Sequence, residues 1–146
     1  ETAAVDALVQ AHVLTGRPRP GLAAMQLNGM LKGFVDLVFE HDGRYYVVDW
    51  KSNWLGADDT AYTAAAMGEA ILHARYDLQY VLYLLALHRQ LLARLPDYDY
   101  DRHIGGALYV FLRGSYSDSQ GLFMDKPPRV LIETLDRMFA GEQILV

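Results

Sequence analysis

The chain has 146 residues, 52% of them hydrophobic, and a formal net charge of −5. This length and composition indicate one folded domain with a sizeable core, and they exclude a disordered chain. The acidic balance excludes the strongly basic footprint of a free-standing nucleic-acid binder. The absence of Cys excludes disulfides, thiol nucleophiles and Cys-based zinc sites, and it fits the cytoplasm. No apolar run is long enough to cross a bilayer, so no membrane contact is expected.

The first half of the chain predicts a helix followed by a β-hairpin. Residues 2–14 have an amphipathic helical pattern, and two prolines and two glycines make residues 15–21 a loop. Residues 25–40 are predicted to be extended, and residues 45–51 form the second strand. The "HDGR" stretch at 41–44 joins them, because Asp-Gly accepts the positive φ angles of a type I′ turn.

The second half alternates helices with one further strand. Residues 60–95 are rich in Ala and Leu, and a break near 73–76 divides them into two helices, the later one largely buried. Residues 104–112 are apolar without alternation, which predicts a strand covered on both faces. Residues 127–142 predict a final helix with Pro at its start. The fold class is therefore α/β, with a mixed central β-sheet that contains a β-hairpin and is flanked by helices.

The predicted turn determines which side chains of the hairpin face each other. Counting outward from Asp42-Gly43, Asp36 lies directly opposite Asp49 on one face, with Cβ atoms ~4.5–5.5 Å apart. Lys51 shares this face, because side chains alternate along a strand. Like charges placed opposite each other destabilise a sheet, and burial among apolar neighbours increases the cost. A compensating cation is therefore expected at this position.

The two acids and the amine suit metal-assisted hydrolysis of a phosphodiester. Mg²⁺ takes carboxylate oxygens and keeps some of its waters, so Asp36 and Asp49 are its candidate ligands. The metal would polarise a phosphoryl oxygen and acidify a water that Lys51 orients or helps to deprotonate. Two plainer interpretations stay open: the aspartates end an edge strand in solvent, or Asp49 and Lys51 form a surface ion pair worth ~0–1 kcal/mol.

Polar side chains on the buried helix add to this candidate site. Gln79 and Tyr83 are i,i+4 and share one face, and Tyr76 lies near it. They are candidates to hydrogen-bond phosphate or base edges, and a Tyr ring can stack on a base. The alternative is that the tyrosines are core residues and Gln79 bonds a neighbouring loop. Trp54, in the loop after Lys51, is interpreted as a packing residue.

Four stretches together resemble a known family: "GFVDLVF", "GRYYVVDWKSNWLG", "RYDLQYVLYLLALHR" and "GALYVFLRG". They are similar to RecB-type nuclease domains of the PD-(D/E)XK, or restriction-endonuclease-like, superfamily, over about Met30 to Gly141. The resemblance implies a metal-binding Asp36, an Asp-x-Lys pair at Asp49 and Lys51, a Gln-x-x-x-Tyr motif at Gln79 and Tyr83, and a metal-binding main-chain carbonyl at Trp50.

The resemblance also implies a function and partners. The function is that of a Mg²⁺-dependent DNA exonuclease domain that hydrolyses phosphodiester bonds within a RecBCD-type helicase-nuclease for double-strand break repair. The implied partners are DNA, helicase domains on the same chain, RecC-like and RecD-like subunits, and RecA. Residues 1–146 are then expected to be one C-terminal nuclease domain, N-terminally truncated from a longer chain. Such a fragment would lack the family's upstream metal-binding His, to which His12 does not align, and we expect weak metal binding and low activity in isolation.

Two other functions compete with this one. A non-catalytic module with the same fold would dock partner proteins or DNA, but a decayed site is expected to have lost Asp36, Asp49 or Lys51, and all three are present. A retaining glycosidase needs carboxyl groups ~5–5.5 Å apart, which the hairpin would supply. That enzyme has no use for a lysine beside the acid, so the glycosidase ranks last.

Overall fold

A computed structural model describes residues 1–141 of the chain. Within these residues, four strands form one sheet in the order β1-β2-β3-β4, with the central β2–β3 pair parallel and the two outer pairs antiparallel. The elements are α1 (Thr2–His12), α2 (Ala24–Leu31), β1 (Leu37–His41), β2 (Arg44–Lys51), α3 (Ala64–Ala74), α4 (Tyr76–Arg94), α5 (Tyr100–His103), β3 (Ile104–Phe111), β4 (Leu122–Asp125) and α6 (Arg129–Met138). This architecture confirms the predicted mixed sheet flanked by helices.

The β1–β2 hairpin has the predicted turn and register. Asp42 and Gly43 both have positive φ angles, 51° and 78°, as a type I′ turn requires. His41 pairs with Arg44, and the ladder runs without a shift to the pair of Leu37 with Val48. The next position outward therefore sets Asp36 against Asp49.

The prediction that residues 25–40 are extended is wrong for their first part. Residues 24–31 form α2, because Ala, Met, Gln and Leu are good helix formers and the Gln26 side chain accepts the Ala23 N–H at 2.9 Å. Strand β4 and the one-turn helix α5 were not predicted, since each is only four residues long. The final helix ends at Met138, and residue 142 of its predicted span lies outside the described residues.

The core lies between the sheet and the helices. Val47, Ala107, Tyr109 and Phe111 point from β2 and β3 toward α4 and are at most 1% exposed. Leu108 and Val110, on the other face, are only half-buried, so β3 is covered on both faces in its first half alone. That second face also carries exposed apolar side chains, namely Leu37, Phe39, Trp50, Leu122 and Met124. Of the helices described, none has the length and apolarity that crossing a bilayer demands.

A buried ionic cluster anchors the first turn of α4. Arg75 adopts a left-handed conformation (φ 58°) between α3 and α4, as the predicted break requires. Its guanidinium binds Asp77 at 3.2 Å and Asp6 at 2.6 Å, and Arg19 binds Asp77 at 2.8 Å. The Arg19 guanidinium also donates to the carbonyls of residues 13 and 14. The cluster thus ties the start of α4 to α1 and to the loop after it.

Substituting Asp77→Asn should lower the free energy of unfolding by about 3 kcal/mol, because it leaves two buried guanidinium groups without their shared carboxylate. Urea unfolding is the measurement. The matched control is Asp97→Asn, whose pair with Arg102 is 3.1 Å long but mostly exposed, and which should cost less than about 1 kcal/mol. Equal losses for the two variants would contradict the anchoring role of the cluster.

Candidate active site

The hairpin brings Asp36, Asp49 and Lys51 together at the end of β2. Asp36 directly precedes β1, and its Oδ2 accepts the Trp50 N–H at 2.9 Å, which ties the acid to the opposite strand. Asp49 is 5% exposed, and its Oδ2 lies 2.5 Å from Lys51 Nζ. Asp49 is thus buried beside Lys51, whereas Asp36 is exposed to solvent and is tied to the opposite strand by the Trp50 N–H.

Asp49 has a perturbed acidity. Burial raises the pKa of its carboxyl group above the usual range, and the neighbouring Asp36 carboxylate raises this pKa further. Lys51 acts in the opposite direction, but it does not outweigh the other two causes. The metal-free protein therefore holds a negative charge at Asp49 at a cost in free energy.

Lys51 is held from three sides. Its ammonium group contacts Asp49, lies 3.1 Å from Gln79 Oε1, and sits 3.8 Å from the centre of the Tyr76 ring. The Tyr109 ring is further away, at 5.1 Å. A cation over an aromatic face is attracted by the negative face of the ring. The lysine side chain is 12% exposed, so its position is set by these contacts and not by solvent.

The three polar residues predicted on α4 all lie at this site: the polar groups of Gln79 and Tyr83 are engaged within the protein, and the Tyr76 ring contacts Lys51. Gln79 Oε1 accepts from Lys51 and, at 2.6 Å, from Tyr109. Tyr83 donates its hydroxyl to the Phe34 carbonyl at 2.9 Å, which fixes the segment before Asp36. Burial, followed by the charges of the two acids, raises the pKa of Tyr83 to about 12. Contact of these residues with DNA stays a prediction.

Comparison with known proteins identifies the family of this site. A sequence model of the PD-(D/E)XK nuclease superfamily matches residues 2–142, which is almost the whole chain. The chain belongs to the PD-(D/E)XK nuclease superfamily. The resemblance read from the sequence motifs is thereby confirmed. Nucleases of this superfamily typically depend on a divalent metal.

The chain is similar to several RecB proteins. It is 56% identical over 124 residues to the RecBCD enzyme subunit RecB of Escherichia coli, and that match covers 84% of this chain. It is 47% identical over 123 residues to the RecB subunit of Haemophilus influenzae, again over 84% of the chain, and 39% identical over 134 residues to that of Mycolicibacterium smegmatis. The matched region amounts to 10–12% of the length of these relatives.

The donor atoms of the PD-(D/E)XK site fit a hard divalent cation. Asp36 and Asp49 each use Oδ2 in the bonds described above, and their carboxyl groups also lie close enough to interact with each other. Mg²⁺ accepts one or two carboxylates and completes its shell with water, so two acids suffice. Between residues 1 and 141 no cluster of three or more His, Cys, Asp or Glu side chains has metal-binding geometry. The His12 ring contacts the Leu8 carbonyl in α1.

The sequence analysis was wrong about Trp54 and missed Tyr109. Trp54 was interpreted as a packing residue, but it is 67% exposed and lines an open cavity of about 740 Å³ with Arg17 and Glu69. The packing interpretation is therefore wrong. Tyr109 was not singled out at all. Its parallel pairing with Asp49 puts it on the helix-covered face, and only this long-range register reveals it.

Removing the charge of Asp36 should stabilise the metal-free protein. Asp36→Asn keeps an oxygen for the Trp50 N–H and relieves the repulsion at Asp49, so the gain should be up to about 1 kcal/mol, reduced by the exposure of Asp36 to water. The same change should weaken Mg²⁺ binding, because an amide is a poorer ligand than a carboxylate. Thermal melts with a chelator and with millimolar Mg²⁺ measure both effects.

The pH dependence of these melts gives a second readout. The raised pKa of Asp49 means that its stabilising contribution is complete below the ordinary value of 3.8 and is lost as the pH rises through the raised value. Asp36→Asn should reduce this loss, whereas Asp118→Asn, on an exposed loop, should leave it unchanged. If Asp36→Asn melts at a lower temperature than wild type without metal, then Asp36 stabilises the metal-free fold, and the expected repulsion is contradicted.

Proposed function

We propose that this domain cleaves DNA by metal-dependent hydrolysis of phosphodiester bonds. The observation that carries the proposal is the convergence of Asp36, Asp49 and Lys51 at the end of one hairpin, with the acidity of Asp49 perturbed by burial and by Asp36. Perturbed titratable groups of this kind concentrate at functional sites. Membership of a nuclease superfamily supports the same chemistry.

Each residue has a distinct part in the proposed reaction. Asp36 and Asp49, together with the main-chain carbonyl of Trp50, would hold Mg²⁺. When bound, the ion would supply positive charge beside the scissile phosphate and would make a water more acidic. Lys51 directs its ammonium toward that water or toward a phosphoryl oxygen, so it orients the nucleophile and stabilises the negative charge that develops. Gln79 and Tyr76 keep the ammonium in position, and Tyr83 contributes to the wall that the DNA contacts.

The proposed setting is an exonuclease within a RecBCD-type helicase-nuclease that processes double-strand breaks. Its support is the similarity to RecB subunits, although the chain spans only about a tenth of their length. In this setting the domain is the C-terminal nuclease unit of a longer chain. Its partners are the helicase domains of the same chain, RecC-like and RecD-like subunits, the DNA and RecA. The net charge of −5 is consistent with DNA being gripped mainly by these partners.

Asp49→Ala and Lys51→Ala should each lower DNA cleavage by the complete enzyme at least about a hundredfold, because each removes a group that contacts the metal or the reacting atoms. Cleavage of labelled linear duplex DNA with Mg²⁺ and ATP measures this loss. ATP-driven unwinding, followed in the same reactions, should stay near the wild-type rate, since no residue of this site takes part in it.

The matched control is Lys126→Ala. Lys126 also places its amine over a tyrosine ring, that of Tyr100, at 5.5 Å. It follows β4 and has no contact with Asp36 or Asp49. Its loss should leave cleavage unchanged. Cleavage near the wild-type rate in Asp49→Ala or Lys51→Ala would place the catalytic centre elsewhere and would favour a non-catalytic docking role for this domain.

A further inference from the structure

A buried hydroxyl outside the catalytic set contacts Gln79. Tyr109 lies on β3 with 0% of its surface exposed, and its hydroxyl is 2.6 Å from Gln79 Oε1. The same oxygen is 3.1 Å from Lys51 Nζ. Two donors from two different strands therefore converge on one acceptor carried by α4.

We propose that Tyr109 is a positioning residue that fixes the Gln79 amide and, through it, the ammonium group of Lys51. The inference rests on the proposed nuclease function and deepens it. A glutamine amide is nearly symmetric in shape, but one end accepts hydrogen bonds and the other donates them. Only the orientation seen here offers an acceptor to both Lys51 and Tyr109. The reversed amide would set its NH₂ group against the ammonium, donor against donor.

The surroundings of Tyr109 keep its hydroxyl a donor. Burial, followed by the negative charge of Asp49, raises the pKa of Tyr109 far above its usual value, so the phenol stays protonated. The ring is packed between Tyr76 and Tyr80, whose centroids lie 5.8 Å and 5.6 Å away. A ring held on two sides cannot swing to another acceptor, so the hydroxyl stays directed at Gln79.

The arrangement connects three elements at the site. Tyr109 on β3 orients Gln79 on α4, and Gln79 orients Lys51, which lies on β2 and forms an ion pair with Asp49 of the same strand. Without the Tyr109 hydroxyl, only the Lys51 contact would hold the amide, and the ammonium would gain freedom to follow Asp49. A catalytic group whose position spreads over several places spends less time in the reactive one. The expected loss is therefore in turnover, not in DNA binding.

The test is Tyr109→Phe in the complete enzyme, assayed for Mg²⁺-dependent cleavage of linear DNA. Tyr109→Phe keeps the packed ring and removes only the hydroxyl. We expect kcat to fall about fivefold to tenfold, the value of one hydrogen bond, while KM for DNA changes less than about twofold. The matched control is Tyr100→Phe, another buried tyrosine, which donates to the Pro127 carbonyl at 2.6 Å and should leave kcat unchanged.

A second background separates positioning from general loosening of the fold. In a Gln79→Leu enzyme there is no amide to orient, so adding Tyr109→Phe should lower kcat less than about twofold further. An equal fall in both backgrounds would overturn the relay through Gln79, as would an unchanged kcat for Tyr109→Phe in the otherwise wild-type enzyme. A wild-type enzyme that unwinds DNA but does not cut it with Mg²⁺ would instead overturn the proposed function itself.

Discussion

The register of the β1–β2 hairpin is the constraint on which the candidate site depends. The turn at Asp42-Gly43 fixes this register, and the parallel ladder with β3 fixes the same strand from its other side. A slip of one residue would send Asp49 and Lys51 to the exposed face and bring Trp50 under α4. Such a slip would bury the Trp50 indole against the Gln79 amide of α4 and would expose Asp49 to solvent. The site thus lies on a strand whose register two neighbours and a helix specify together.

Helix α4 supplies the second half of the site, and its own position is determined at its first turn. The cluster of Arg75, Asp77 and Arg19 holds that turn against the start of the chain. Tyr76 and Gln79 follow within one turn of this anchor and face Lys51. Because the anchor is buried and ionic, displacing it would leave unpaired charge in the core, which resists small shifts of the helix. The lysine is therefore located between two elements that are each fixed independently.

Features of this site could be predicted from sequence where they depend on local chemistry. The Asp-Gly turn, the pairing of Asp36 with Asp49, the place of Lys51 on their face and the shared helix face of Gln79 and Tyr83 follow from turn type and side-chain periodicity. Helix α2 was missed because a short apolar stretch fits either a strand or a helix. Its Ala, Met, Gln and Leu residues have high helix propensity, and the structure is helical there. The contacts of Tyr109 could not be foreseen, since they arise from parallel pairing between segments distant in the chain.

The balance of charges around Asp49 explains why the lysine needs so many neighbours. Burial is the main cause that raises the cost of ionising Asp49, and Asp36 adds to it; Lys51 lowers this cost but does not outweigh burial. An ammonium free to move would settle over both carboxylates and compete with a cation for their oxygens. Gln79 and Tyr76 prevent this by holding the ammonium at one oxygen of Asp49. In the nuclease proposed above, a bound divalent ion would neutralise the remaining negative charge of the two acids, with Lys51 held beside it.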